Sequence, residues 1–369
     1  MSKLNIKVMN FAKGQELPEF KENRNGQWVD YGSDNMYPQY LIEVFHNRSN
    51  KHKAIINRKV DMIAGGGFQP VAGAESFFNN DWGKYSLDTT IVKSSTDYEI
   101  ANGFALFVRW NGLGDKVVSY EHLPWHKARI SPCGKKVLIS KDWGNVRKAE
   151  NKPVEYPIFN PRTAKDEPIQ VLYHIKEAAG IDYYPMPYYS SSLVWIELDY
   201  EIGNFHLSSV RNGFMPSFIL NFATGIPTEE EMDAVYRDFE KKYTGSENAG
   251  KFILAFSEGT EQQPTLTPIQ LNDSDERFIM LHKEMMEEIF IGHGVTDPQL
   301  FGVRVAGELG GKDELLQNLA IFQSVYVDKR QRELESVYNK LFRFAGFEGN
   351  LKLNKYAINF DNVEKNDEQ

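Results

Sequence analysis

The spacing of apolar residues changes character near residue 185. Before it, short alternating runs dominate. Ala101–Trp110 (ANGFALFVRW) alternates and is rich in aromatics, which predicts a strand. Asn111-Gly112 and Gly114-Asp115 then supply turn chemistry. Val117–Leu123 and Lys136–Ser140 read as further strands. Helical spacing occurs in this half over Pro38–Val60, through Leu41, Val44 and Phe45, then Ile55, Ile56 and Val60. Gly65-Gly66-Gly67 ends it. Lys148–Glu167 is polar and contains three prolines, and is expected to be a surface loop.

After the aromatic connector Tyr183–Tyr189 (YYPMPYY), the period becomes helical. Ser190-Ser191-Ser192 offers N-caps, because a serine oxygen can accept from an unpaired amide of the first turn. Val194, Leu198, Ile202 and Phe205 then share one face, and Gly213 is a stop signal. Ser217–Phe222 and Lys251–Phe256 are strand candidates. Between them, Thr228 and Glu231 form a capping box behind Pro227 and open a helix to about Tyr243, giving a small β-α-β unit. A further helix is expected from Asp273, with Glu276 as capping partner, to His293, where Gly294 ends it. At about 1.5 Å per residue it is roughly 30 Å long. Past the glycine-rich stretch GVRVAGELGGKDE (Gly302–Glu314) comes a longer helical pattern, Asp313–Phe344, with Leu315, Leu319, Phe322 and Tyr326 on its buried stripe. Lys352–Phe360 is a last strand candidate, and the tail NVEKNDEQ is expected to fray. There is no internal repeat.

Composition narrows the class. The 369 residues are 41% hydrophobic and 25% charged, ordinary for a globular chain with more than one simple core. No run of about 18 apolar residues suggests a membrane span, and the N-terminus lacks a signal-peptide apolar core. The single cysteine, Cys133, excludes an intrachain disulfide and a cysteine-based zinc site, and suggests a reducing cytoplasm. Net charge is −9. A nucleic-acid clamp needs lysine and arginine against phosphate, so any contact with DNA is expected to be local or weak.

The candidate chemistry is sparse. A phosphate-binding loop needs G-x-x-x-x-G-K-[ST] between a strand and a helix. Gly311-Lys312 supplies the GK pair, but Ala306 stands at the first glycine and Asp313 at the hydroxyl. A helix precedes the loop as well. His282, Glu287, Glu288 and His293 crowd one helix without the paired Glu-x-x-His spacing of a bundle metal site, and read as a solvated face. His122, His126, His174 and His206 are scattered, with no catalytic-triad order. Met280, Met285 and Met286 read as packing residues. The helix 273–293 carries Asp273, Asp275, Glu276, Glu284, Glu287 and Glu288 against Arg277 and Lys283. That is either an exposed face or, in several copies, the wall of a space that holds polyanions loosely.

Several local motifs occur in a particular order: Tyr31-Gly32-Ser33-Asp34-Asn35 with Tyr37-Pro38; His52-Lys53-Ala54-Ile55-Ile56-Asn57 leading to Gly65-Gly66-Gly67-Phe68; Arg211-Asn212-Gly213 with Pro216; Gly245-Ser246-Glu247-Asn248-Ala249-Gly250-Lys251; and Gly294-Val295-Thr296-Asp297-Pro298 with Leu300 and Gly302. Across about residues 28 to 345 the chain resembles the portal proteins of tailed bacteriophages, of the HK97-like type.

The resemblance implies an α+β portal fold with a mixed wing (1–189), a stem helix (190–212) and a β-α-β clip (213–262). A second stem helix with its lead-in (263–294), a tunnel loop (295–312), and a long wing helix, strand and acidic tail (313–369) would follow. A C-terminal crown would be absent or very short. It implies a ring of about twelve subunits, closed by heterologous interfaces, at one capsid vertex. Double-stranded DNA would pass through its channel during packaging and ejection. The other implied partners are the terminase large subunit, the major capsid protein and a head–tail connector or adaptor; no membrane or cofactor is implied. The protein would reside in the virion, and in the host cytoplasm during assembly. Arg304, Glu308 and Lys312 would meet DNA from the tunnel loop, and Glu284, Glu287 and Glu288 would face the channel. Glu229, Glu230, Asp233, Arg237 and Lys241 would dock the motor or connector. Trp28, Tyr31 and Tyr37 are candidate interface aromatics, because they lie in a turn-rich segment with little core of its own.

Two other classes compete. A nucleotide- or metal-dependent hydrolase would use 302–314 or 282–293. A head–tail adaptor would bind proteins without conducting DNA. The portal reading implies no active site and no enzyme activity.

Overall fold

A computed structural model describes residues 18–211, 218–222, 252–256, 265–268, 274–295, 297–302 and 312–356. The chain divides into two compact units, one of residues 1–194 and 288–369, the other of residues 195–287.

The first unit is α+β. A hairpin of β1 (Phe20–Glu22) and β2 (Val29–Tyr31) leads to α1 (Tyr37–Glu43), a π-helical turn (Val44–Arg48) and α2 (Asn50–Ala64). The helical spacing noted over Pro38–Val60 is thus divided at Ser49. Ser49 turns extended, and its side chain caps α2 by accepting from the amide of His52. Two further helices follow, α3 (Glu75–Asn79) and α4 (Leu87–Ala101). The predicted strand at Ala101 begins at Gly103, because Asn102 closes α4 in the left-handed conformation at φ 59°. No amphipathic stripe announces α4. Thr90, Ser94 and Ser95 are buried beside Ile91 and Tyr98, so its apolar period is blurred by small polar residues.

Strand β3 (Gly103–Trp110) is central to an antiparallel sheet in the order β4-β3-β8, with β4 at Val117–Leu123 and β8 at Ile169–Ile175. A second antiparallel sheet joins β5 (Ala128–Ile130), β6 (Lys136–Ile139) and β7 (Val154–Pro157). β7 lies inside the segment expected to be a loop. Its Tyr156 packs edge-on against Phe107 with ring centroids 5.2 Å apart, and the burial of that ring holds the strand despite Pro153 and Pro157. Ala164, in the same segment, is fully buried. The amide of Phe159 donates to the carbonyl of Val171 at 2.9 Å, which stitches the two sheets together.

The long helix predicted at Asp313–Phe344 runs without a gap from α7 (Lys312–Phe322) through a π-helical turn (Gln323–Val327) into α8 (Asp328–Phe344). Leu334, Tyr338, Leu341 and Phe342 are buried from it. The strand expected at Lys352–Phe360 is reduced, among the described residues, to one bridge between Leu353 and Phe68. Asn354 instead spends its polar groups on Gly66 and Gly67 (Nδ2 to the Gly66 carbonyl at 2.8 Å, N to the Gly67 carbonyl at 3.0 Å).

The expectation that Trp28 and Tyr31 wait for a neighbouring subunit is corrected. Tyr31 is fully buried, stacked on Tyr184 at 4.1 Å, and its hydroxyl donates to the Pro185 carbonyl. Trp28 is buried against Trp143 at 5.2 Å. Distant segments supply the core that the local sequence lacks.

The second unit holds three short strands in the order β10-β9-β11. β9 (Phe218–Phe222) and β10 (Phe252–Phe256) pair in parallel, which requires a crossover between them, as the β-α-β reading expects. The helix predicted there lies outside the described residues. The sequence reading missed β11 (Thr265–Pro268), which pairs antiparallel with β9. Its four residues, TLTP, are too short and too polar at alternate positions to stand out. Helix α5 (Leu193–Arg211) and helix α6 (Ser274–Gly292) each run from one unit into the other.

Candidate functional site

Helix α6 carries the residues expected to face a channel. Glu284, Glu287 and Glu288 stand three and four positions apart, which places them on one helical face. Glu284 and Glu287 are exposed and Glu288 is half-buried. Met285 and Ile289, both fully buried, define the opposite stripe. Lys283 lies 4.0 Å from Glu287, a loose exposed pair that barely offsets the acidic character of the face.

The end of α6 is fixed by its backbone. Gly294, at φ 63°, donates to the Ile291 carbonyl at 2.8 Å, and Val295 donates to the Phe290 carbonyl at 2.9 Å. These two bonds form a Schellman cap, which needs a left-handed residue where glycine stands. One turn earlier, the Ser192 hydroxyl donates to the Glu288 carbonyl at 3.0 Å. Here Gly292 is obligatory, because a Cβ on it would lie 1.9 Å from the Ser192 oxygen.

Behind this end lies a buried charged cluster. His293 is fully buried, stacked on Tyr189, with its Nε2 2.9 Å from Nδ1 of His52. Burial holds both imidazoles neutral. That of His52 is lowered to about 3, with Lys59 adding to the effect, and that of His293 is also well below the usual value. Lys59 Nζ donates to the His293 carbonyl at 2.6 Å and lies 3.8 Å from Glu99. Burial lowers the Lys59 ammonium to about 8, against the upward pull of Glu99. Glu99 also accepts from the Tyr326 hydroxyl at 2.5 Å and faces Arg330 Nε at 3.1 Å. Arg330 donates to Asn102 Oδ1 at 2.6 Å and lies over the rings of Tyr98 and Tyr188. Burial opposes its charge, but Glu99 and the tyrosines outweigh that and the guanidinium is held more firmly protonated. The cluster ties the C-terminal end of α6 to α2, α4 and α8.

The segment expected to be a tunnel loop is held at its two stalks. Asp297 is buried and caps a 3₁₀ turn (Pro298–Phe301) by accepting from the Gln299 amide at 2.8 Å. Its other oxygen accepts from Asn318 Nδ2 on α7, also at 2.8 Å. Phe301 meets Phe322 edge-on at 5.5 Å. The Asp297–Asn318 bond and the Phe301–Phe322 contact thus join the 3₁₀ turn to α7.

Lys312 opens α7, while Arg304 and Glu308 lie outside the described residues. So do Glu229, Glu230, Asp233, Arg237 and Lys241. Of the four residues weighed as a metal site, His293 is turned inward against His52. Among the described residues, no group of three histidine, cysteine or acidic side chains is placed to hold a metal, and no helix is long and apolar enough to cross a membrane. One signal did point to the buried cluster. Arg330 sits four residues before Leu334 and eleven before Leu341, on the apolar stripe of α8.

No family model matches the sequence, and no curated protein matches it. Solved structures do share its fold. A chain in the neck of the native gene transfer agent (GTA) particle, computed with C12 symmetry, superposes with a TM-score of 0.56 at 13% identity, over 89% of this chain and 87% of that one. A chain of the native GTA virion gives a TM-score of 0.51 at 12% identity, with the same coverage. An HK97-family phage portal protein from Corynebacterium diphtheriae gives 0.45 at 9% identity, over 79% of this chain and 86% of that one, and no argument rests on it. The chain therefore has the α+β fold of the GTA neck chain.

Proposed function

We propose that this protein is a phage-type portal subunit, assembling as a ring of about twelve at one vertex of a capsid and conducting double-stranded DNA. The observation that carries the reading is the match in fold, along nine-tenths of the chain, to a neck component computed with C12 symmetry. The ordered motifs between residues 28 and 345 point the same way. In this reading α5 and α6 are the stem, and residues 213–262, with β9 and β10, are the clip. Residues 295–312 are the tunnel loop, and α7–α8 is the wing helix behind it.

The chemistry of the stem suits passage rather than capture. Duplex DNA carries one charge per ~1.7 Å, so a basic wall would hold it through many simultaneous contacts. Glu284, Glu287 and Glu288 would present carboxylates instead, repelling phosphate at every step. Arg304 and Lys312 would offer brief contacts from the loop, limited by Glu308. Glu229, Glu230, Asp233, Arg237 and Lys241 would give the clip a mixed-charge surface for a terminase motor and later a connector. The protein would supply no hydrolysis of its own. The test is a packaging assay with Glu284, Glu287 and Glu288 all changed to Lys. Rings that still form but package slowly or stall support the reading; unchanged packaging removes these residues from the channel wall. Turnover of ATP by the purified wild-type protein, lost on Lys312→Ala, would favour a hydrolase.

A further inference from the structure

A closed ring needs two different faces on each subunit, one fitting the other. The first unit carries two surfaces with the complementary character such a joint requires.

One is a ridge. Along the outer side of the long helix, Ile321 and Val325 are about half exposed, at 51% and 55%. The same face continues through Lys329 and Arg332, also exposed, at helical spacing. From Ile321 to Arg332 the ridge is about 16 Å long, at about 1.5 Å per residue. It is apolar at one end and basic at the other.

The second is a groove of about 1240 Å³ whose floor and walls include Met36, Tyr37, Tyr40 and Val194. Val194 is 55% exposed, and Tyr37 and Tyr40 are half-buried. Its charged lining consists of Glu19, Asp34 and Glu43, with no lysine or arginine. Glu19 and Glu43 hold Lys21 and Arg48 beside them, while Asp34 accepts from the nearby Met36 amide at 3.0 Å and meets no cation among the described residues. Gln39, Ser190 and Ser191 also line the groove, so it offers mixed walls with carboxylates on the rim to a ridge that is apolar at one end and basic at the other. DNA would satisfy Lys329 and Arg332 but leave Ile321 and Val325 in water, whereas the groove has apolar walls for the second pair and carboxylates for the first.

We propose that the Ile321–Arg332 face of one subunit docks into the Tyr37–Val194 groove of the next copy, forming the heterologous joint that closes the ring. This rests on the ring reading above and identifies the surfaces that make it.

Cross-linking tests it in the full-length chain. In a Cys133→Ser background, Val194→Cys and Val325→Cys are introduced singly and together, and treated with a short bismaleimide. The double variant is expected to give a ladder of covalent oligomers ending at the ring number, and each single variant to stay monomeric on a denaturing gel. Val325→Glu, at an exposed position, is expected to abolish rings at an unchanged melting temperature. Rings without a ladder, dimers from Val325→Cys alone, or rings that survive Val325→Glu overturn the joint while leaving the ring reading standing. Duplex binding that is lost in a Lys329→Glu, Arg332→Glu variant with rings intact assigns the ridge to DNA and also overturns it. A wild-type protein that forms no rings under any condition removes both readings.

Discussion

At position 330 the chain places an arginine where the spacing of Leu334, Val337 and Leu341 asks for an apolar side chain. The structure resolves the conflict by burying Glu99 against it, with Lys59, Tyr326 and Asn102 completing the partners. A buried ion pair adds little net stability over an apolar pair, but removing one member leaves an uncompensated charge. Arg330→Met alone should therefore lower the unfolding free energy by about 3–5 kcal/mol, and Glu99→Gln added together with Lys59→Met, which removes the remaining charges of the cluster, should recover part of that loss. Chemical denaturation of the single and triple variants measures both. The neutral histidines give a second expectation. Between pH 6.5 and about 3 the unfolded chain protonates position 52 and the folded chain does not. Stability is then full above about pH 6.5 and falls as pH drops, by about 1.4 kcal/mol per pH unit for each such histidine. His52→Gln should reduce that slope by about one proton. These residues were hard to read in the sequence. Apart from Arg330, whose place on the apolar stripe stands out, Lys59 and Glu99 look like ordinary surface charges on separate helices, and only the fold brings the three together.

The end of α6 was legible, because its apolar spacing and the glycine stop at Gly294 dictate the same answer. α5 begins after the Ser190–Ser192 turn, but Leu193 and Ile196 are buried from it while Val194 and Phe205, on the expected face, are exposed. Elements that depend on distant partners were not legible. β7 exists because Tyr156 finds Phe107, and α4 hides its period behind buried serine and threonine. Nor did sequence spacing disclose how closely elements approach. Gly292 faces Ser192 with no room for a methyl group, so Gly292→Ala should cost about 1–3 kcal/mol through overpacking. Ser192→Gly added to it should return part of the loss, measured as a rise in melting temperature over the single variant. The Asp297–Asn318 bond predicts a similar pair effect. Asn318→Ala leaves the buried Asp297 oxygen without its partner, and should destabilise by about 1–3 kcal/mol.

Across the whole molecule, a net charge of −9 suits the conduit proposed above better than a tight DNA binder. A protein with net charge −9 and an acidic helix face gains nothing by wrapping DNA, yet it can surround DNA without trapping it. The α+β class was legible because short alternating runs before residue 185 and helical spacing after it both follow burial. The central claim is that copies of this chain close around a hole. Electron microscopy of the purified protein, with particle mass measured on the same sample, tests it most directly. The account predicts closed rings of about twelve subunits with an open axial channel wide enough for a duplex. A monodisperse monomer at every concentration and ionic strength, both alone and with its capsid partners, would contradict it.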